Sequence, residues 1–167
     1  MILDNGFPTI DPRGNAVVRI PRDVTSLAMN KYNQAARAAG LKRLLAFLTG
    51  RPQRMTSLNE QIAQKGLPSS SYAGVQAVNV NRICGSESRS EDFDREFHPV
   101  RQTTRERWIG IARAWMEEKT LPPVELIQVG GDYYVRDGHH RISVARSFGQ
   151  QYIEAEIIRM QFNRTPL

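Results

Sequence analysis

Five consecutive residues, Asp137-Gly138-His139-His140-Arg141, combine the groups that phosphate chemistry uses. They follow the β-rich run Tyr133-Tyr134-Val135-Arg136 and precede a helical run closed by Gly149, so they stand where a strand turns into a helix. The first turn of a helix has backbone N–H groups without intrahelical partners, and the macrodipole adds partial positive charge there. Gly138 permits close backbone approach and unusual dihedral angles. Arg141 offers a two-pronged fork to phosphate oxygens. His139 and His140 are donors whose charge can change near neutral pH. Together these residues describe an anion seat with a physical mechanism.

Each residue also has a plainer role. Asp137 suits a helix N-cap, Gly138 a turn, and Arg141 a surface position. Adjacent histidines on a helix point about 100° apart, unlike the i, i+4 pair of a zinc helix, so a two-histidine metal site is not expected. One histidine should face the site while the other packs inside. A second phosphate contact is expected from the polar stretch 84–102. There Gly85, Ser86 and Arg89 offer a flexible backbone, a hydroxyl and a guanidinium, with Arg82 just before them. The same residues would serve an ordinary surface loop.

The elements that must position these groups can be read from periodicity. A helix is predicted from about Thr25 to Leu48, with Leu41, Leu44, Leu45 and Leu48 on one apolar face and Gly50 and Pro52 ending it. A short helix is predicted over 57–64. Residues 68–74, PSSSYAG, read as a junction, and the strand pattern of 75–80 follows. The next helix opens with Thr103 and Glu106 at capping-box spacing, and Trp108, Ile111, Ala112, Trp115 and Met116 form its core stripe. Residues 124–129 and 133–136 flank a Gly130-Gly131-Asp132 turn as a hairpin. A strand over 152–158 completes an α+β domain with a small mixed sheet. The predicted organisation is a basic, mainly helical N-terminal extension over 1–70, the α+β domain over 74–160, and a tail over 161–167. Within the extension, 1–22 read as an arm with one strand-like piece at 16–20.

Composition narrows the classes. The chain has 167 residues, 40% of them hydrophobic, and a net charge of +6. Residues 1–70 hold ten Lys and Arg against four Asp and Glu, whereas 71–167 hold thirteen of each. The basic excess therefore lies in the N-terminal part, where it suits a solvated helix face or a surface for nucleic acid, an acidic partner or anionic lipid. A single cysteine, Cys84, excludes an internal disulfide and a cysteine-based zinc site. No apolar run approaches a bilayer's thickness and no secretory signal is visible, so a cytoplasmic protein without a membrane role is expected.

Residues 124–157, VELIQVGGDYYVRDGHHRISVARSFGQQYIEAEI, resemble the ParB/sulfiredoxin superfamily. In that family a hairpin leads into a Gly-x-x-Arg motif and then a helix with an alanine four residues on, as Gly138-His139-His140-Arg141 and Ala145 do here. The resemblance spans about 74–158 and leaves 1–70 outside it. It implies phosphate or nucleotide binding at this helix N-terminus, with Gly138, His139, His140 and Arg141 as the binding residues.

The family's activities diverge. Its partition proteins bind and hydrolyse CTP and bind DNA, its sulfiredoxins use ATP and a motif cysteine, and its free-serine kinases carry a similar Asp-Gly-His-His-Arg. Some members have been called nucleases. His139 stands where a sulfiredoxin has cysteine, so repair of oxidised cysteine is not expected. No helix-turn-helix domain follows the motif domain, so full partition function is not expected either. The match favours the kinase-like branch, which implies ATP, ADP or CTP with Mg2+, Asp137 beside the metal or the transferred phosphate, and His139 in the catalytic centre. Glu87 and Glu91 are the candidate bases. The alternatives are a non-catalytic DNA- or RNA-associated module using the basic N-terminal helices, and a nuclease. A homodimer is a candidate assembly.

Overall fold

A computed structural model describes residues 9–10, 16–17, 23–50, 55–88 and 91–162. Two short strands, β1 (Thr9–Ile10) and β2 (Ala16–Val17), pair antiparallel, and residues 18–20 of the expected strand piece lie outside the described residues. Helix α1 (Val24–Thr49) starts at Asp23, whose carboxylate accepts the Ser26 N–H at 2.9 Å, and ends at Gly50 in the left-handed region. Strand β3 (Thr56–Ser57) runs into α2 (Leu58–Lys65). There follow β4 (Ser69–Asn79), β5 (Ile83–Ser86), α3 (Arg105–Met116), β6 (Val124–Val129), β7 (Asp132–Asp137), α4 (His139–Ser147) and β8 (Tyr152–Gln161).

Six strands form one mixed sheet in the order β3-β5-β7-β6-β8-β4. β6 and β7 make the antiparallel hairpin, β8 runs parallel to β6, and β5 runs parallel to β7. Period-two alternation divides the two faces of the sheet. Val124, Leu126, Val135 and Ile157 join Trp108 of α3, Ile142 of α4 and Ala28 and Tyr32 of α1 in the main core. Ile127 and Tyr134 pack instead with Leu58 of α2 on the opposite face. Trp108 is fully buried, and its indole N–H donates to the Ser143 hydroxyl at 2.8 Å, which ties α3 to α4.

The α+β class and the hairpin, helix and strand around the motif match expectation. Four local readings do not. Residues 69–74 are no junction but the first part of β4, hydrogen-bonded along β8 with an irregularity between Tyr72 and Val75. Gly85 and Ser86 lie in β5, which pairs with β3 and β7, and are not part of a flexible loop. The capping box does not form: a 3-10 turn over Gln102–Thr104 precedes α3, Thr104 is its N-cap, and no side chain caps it.

The fourth concerns α1. Its buried seam is Ala28, Tyr32, Ala35 and Ala39, while Leu41, Leu44, Leu45 and Leu48 are exposed. At about 100° per residue those leucines point nearly opposite the alanine seam. Small alanines let α1 lie close against α3, and that close packing wins over the larger but outward leucine stripe. No helix among the described residues is long and apolar enough to cross a membrane.

Candidate functional site

The motif's backbone comes first. Gly138 adopts φ 104° and ψ 19°, left-handed values that a side chain disfavours. Space is also closed: a Cβ there would stand 2.5 Å from Val124 Cγ1 and 2.8 Å from Val124 Cβ. Glycine is thus required twice over, by dihedral angle and by contact with a buried valine. The turn delivers the chain directly from β7 into α4. No side chain caps α4, so the N–H groups of its first turn keep their hydrogen-bonding capacity, and the Ile142 N–H is the one that returns to the Gly138 carbonyl, at 3.0 Å. Asp137 therefore does not act as the N-cap.

This turn opens into a hollow of about 200 Å³ lined by Asp92, Arg107, Asp137, His139, His140 and Arg141. Arg141 is mostly buried and its fork is engaged. Nη1 donates to the carbonyls of Pro122 and Pro123 at 2.5 and 2.6 Å, and Nη2 donates to Asp137 Oδ2 at 2.5 Å. The fork expected to grip phosphate instead clamps the helix start to the chain entering β6. Arg107, exposed at the first turn of α3, has no ion-pair partner among the described residues and is the cation with its donors available.

The site lowers both histidine pKa values, which favours the neutral form of each at pH 7, and for His140 this moves the charge change well below neutrality. Burial pushes the His139 pKa down, and the Asp137 and Asp92 carboxylates offset only part of this. Burial and the Arg107 charge bring His140 to about 4. His139 turns inward: Nε2 lies 2.9 Å from the Ser86 hydroxyl, and the ring is near Phe93 and Phe97. Ser86 also donates to the Val135 carbonyl at 3.2 Å. With that proton so placed, His139 Nε2–H donates to Ser86 and Nδ1 is its basic atom. His140 meets Phe93 edge-on at 5.0 Å, and its buried Nε2 has no hydrogen-bond partner among the described residues.

The remaining expected residues are placed elsewhere. Ser86 is buried, bonds His139 and is not among the lining residues of the hollow. Gly85 is packed against β3, where a Cβ would stand 2.3 Å from the Thr56 carbonyl oxygen. Glu87 is held by Arg136 through contacts of 3.1 and 3.2 Å. Glu91 pairs with Arg101. Neither glutamate lines the hollow. Arg89 lies outside the described residues. Asp92 and Arg107 are the site residues that sequence reasoning missed. Asp92 sits in the polar stretch 84–102 and Arg107 beside the core stripe of α3, 45 and 30 residues before Asp137, and no short-range spacing connects them to the motif.

No protein-family model and no curated protein matches the sequence. A solved structure, sulfiredoxin from Arabidopsis thaliana, overlaps the chain with a TM-score of 0.34 and 18% identity. The overlap covers 51% of this chain and 84% of that one. It assigns no role to any residue here.

Cys84 lies on β5, half-buried beside Tyr134 on the face that α2 covers, and not among the lining residues of the hollow. Burial pushes its thiol pKa up, which disfavours the thiolate. Among the described residues, no three His, Cys, Asp or Glu side chains gather as a metal cage.

Proposed function

We propose that this hollow binds the phosphate end of a nucleotide together with Mg2+, as the site of a phosphotransferase or NTP hydrolase. One observation carries the reading: an uncapped helix N-terminus opens into a hollow whose wall also bears two carboxylates, Asp92 and Asp137. The helix start and Arg107 attract an anion. Two carboxylates alone would repel it, but they suit a phosphate that arrives with a divalent cation. Mg2+ is commonly held by one or two carboxylates plus substrate phosphates and water, and not by a full protein cage. Asp92 and Asp137 would hold it, and its charge would offset that of the phosphates.

Size supports the phosphate end in particular. About 200 Å³ is below the roughly 300–1,000 Å³ of pockets that enclose a whole small molecule, so the nucleoside would lie outside the hollow. Within it, the first-turn N–H groups of α4 and the Arg107 guanidinium would orient phosphate oxygens. Arg141 positions by holding Asp137 and the Pro122-Pro123 carbonyls. Neutral His139, whose Nε2 is fixed by Ser86, would offer its Nδ1 as a proton acceptor on the hollow's wall.

Titration of ATP, ADP and CTP by calorimetry, with and without Mg2+, tests the reading. Saturable binding that needs Mg2+ and weakens at least tenfold in Arg107→Ala and Asp92→Asn is expected. Absence of saturable binding for all three nucleotides, or unchanged affinity in both variants, overturns it. Phosphorus NMR of the same mixtures then separates transfer from hydrolysis.

A further inference from the structure

A second, wider hollow of about 730 Å³ lies between α1 and the segment that leads into α3. Its charged lining among the described residues is Arg37, Arg43 and Arg105, with no carboxylate, and the amides of Asn33 and Gln102 stand beside them. Arg37 and Arg43 are exposed and pair with no described acidic group, whereas Arg105 has Glu106 at 2.8 Å. Helix α1 itself carries four Lys and Arg and no Asp or Glu. Nothing stands within 4 Å of where a Gly40 Cβ would be, so the groove floor is open at mid-length.

The face of α1 that carries Arg43 continues past the hollow. At about 100° per residue, Ala36, Gly40, Arg43 and Phe47 share a sector of about 60°. Phe47 is 85% exposed and extends that face one turn past Arg43. Three guanidiniums around the hollow, with an open aromatic ring one turn past Arg43, match a ligand that carries both repeated anionic groups and flat apolar faces. A nucleic-acid single strand has both, through its phosphates and its unstacked bases. An acidic peptide supplies only the anions.

We propose that this groove binds single-stranded nucleic acid, with phosphates on Arg37, Arg43 and Arg105 and a base stacked on Phe47. The site is separate from the motif hollow. Arg105 and Arg107 lie two residues apart on α3, about 200° around the helix, so the two hollows open on different sides of it.

Fluorescence anisotropy of labelled oligo-dT with the full chain tests the proposal, over a salt series. Affinity should fall linearly on a log–log plot, and the paired variant Arg37→Gln/Arg43→Gln should flatten the slope by about 1.4, given about 0.7 per phosphate contact on a single strand. The charge-reversed pair Arg37→Glu/Arg43→Glu should weaken binding more than the glutamine pair, with an unchanged circular dichroism spectrum. Phe47→Ala should weaken binding about tenfold and leave the salt slope as it is. Arg141→Ala should bind the oligonucleotide like the wild type. The proposal is overturned if both arginine pairs bind like the wild type. It is overturned equally if Phe47→Ala has no effect, or if poly-glutamate of similar length binds tighter than oligo-dT, which would make the groove a site for acidic protein.

Discussion

At the scale of single residues, two glycines that both have positive φ should behave differently. Gly149, at φ 72°, closes α4 with nothing within 4 Å of a Cβ position. Gly149→Ala should therefore cost about 1 kcal/mol of dihedral strain and little more. Gly138→Ala adds a collision with fully buried Val124 to a dihedral strain at φ 104°, and about 3 kcal/mol is expected. Urea unfolding of the two variants measures the difference, and equal losses would mean that the Val124 contact has no energetic consequence.

His140 carries a pH prediction. Its folded pKa is about 4, against an ordinary value near 6.5. Between those values the unfolded chain takes up a proton that the native state refuses, so stability rises with pH across the window. The contribution is complete above about 6.5, is lost as pH falls towards 4, and has a ceiling of about 3 kcal/mol. His140→Leu should flatten the stability curve between pH 4 and 6.5, with unfolding followed by tryptophan fluorescence. His139, shifted in the same direction, keeps part of the slope. Below that window Asp94 takes over. Burial would raise its pKa, but hydrogen bonds from the His98 side chain and backbone outweigh this and hold it low. Its share is present above the ordinary carboxylate range and lost as pH falls through the folded value.

At the scale of elements, α1 shows that an apolar stripe and a buried face are different things. Ala35 is buried against the domain, whereas Leu44 is 56% exposed. Ala35→Leu should overpack the α1–α3 contact and cost about 1–3 kcal/mol. Leu44→Lys should change stability by less than about 0.5 kcal/mol. A core role for the leucine stripe predicts the reverse order, so thermal unfolding of the two variants decides between them. Asp23 marks the start of the same helix, and Asp23→Ala should remove its cap at a cost of about 1 kcal/mol.

At the scale of the molecule, α1 belongs to the structure that the motif stands on. Tyr32 meets Trp108 edge-on with ring centroids 5.6 Å apart, and Trp108 bonds Ser143 in the motif helix. Tyr32→Ala should cost about 3 kcal/mol and red-shift the tryptophan emission as water reaches the indole. An unshifted spectrum with full stability would make α1 an appendage.

Much of the site was legible in the chain itself. Asp137 to Arg141 stands at a strand–helix junction, the hairpin before it turns on Gly130, and Gly149 closes the helix, because turn, cap and period signals act within a few residues. Those local rules also determined the α+β class. What each donor binds is a different matter. The Arg141 fork meets carbonyls 18 and 19 residues away, His139 meets Ser86 across 53, and Asp92 and Arg107 come to the hollow from outside the motif. The sheet makes the first two meetings by laying β6 and β5 on either side of β7, and no sequence spacing encodes those juxtapositions. The anion-attracting helix start was therefore determined by the sequence alone. Which guanidinium is left unpaired beside it, and which carboxylates stand there, was decided by tertiary packing, since a buried donor takes the nearest acceptor that the folded chain presents.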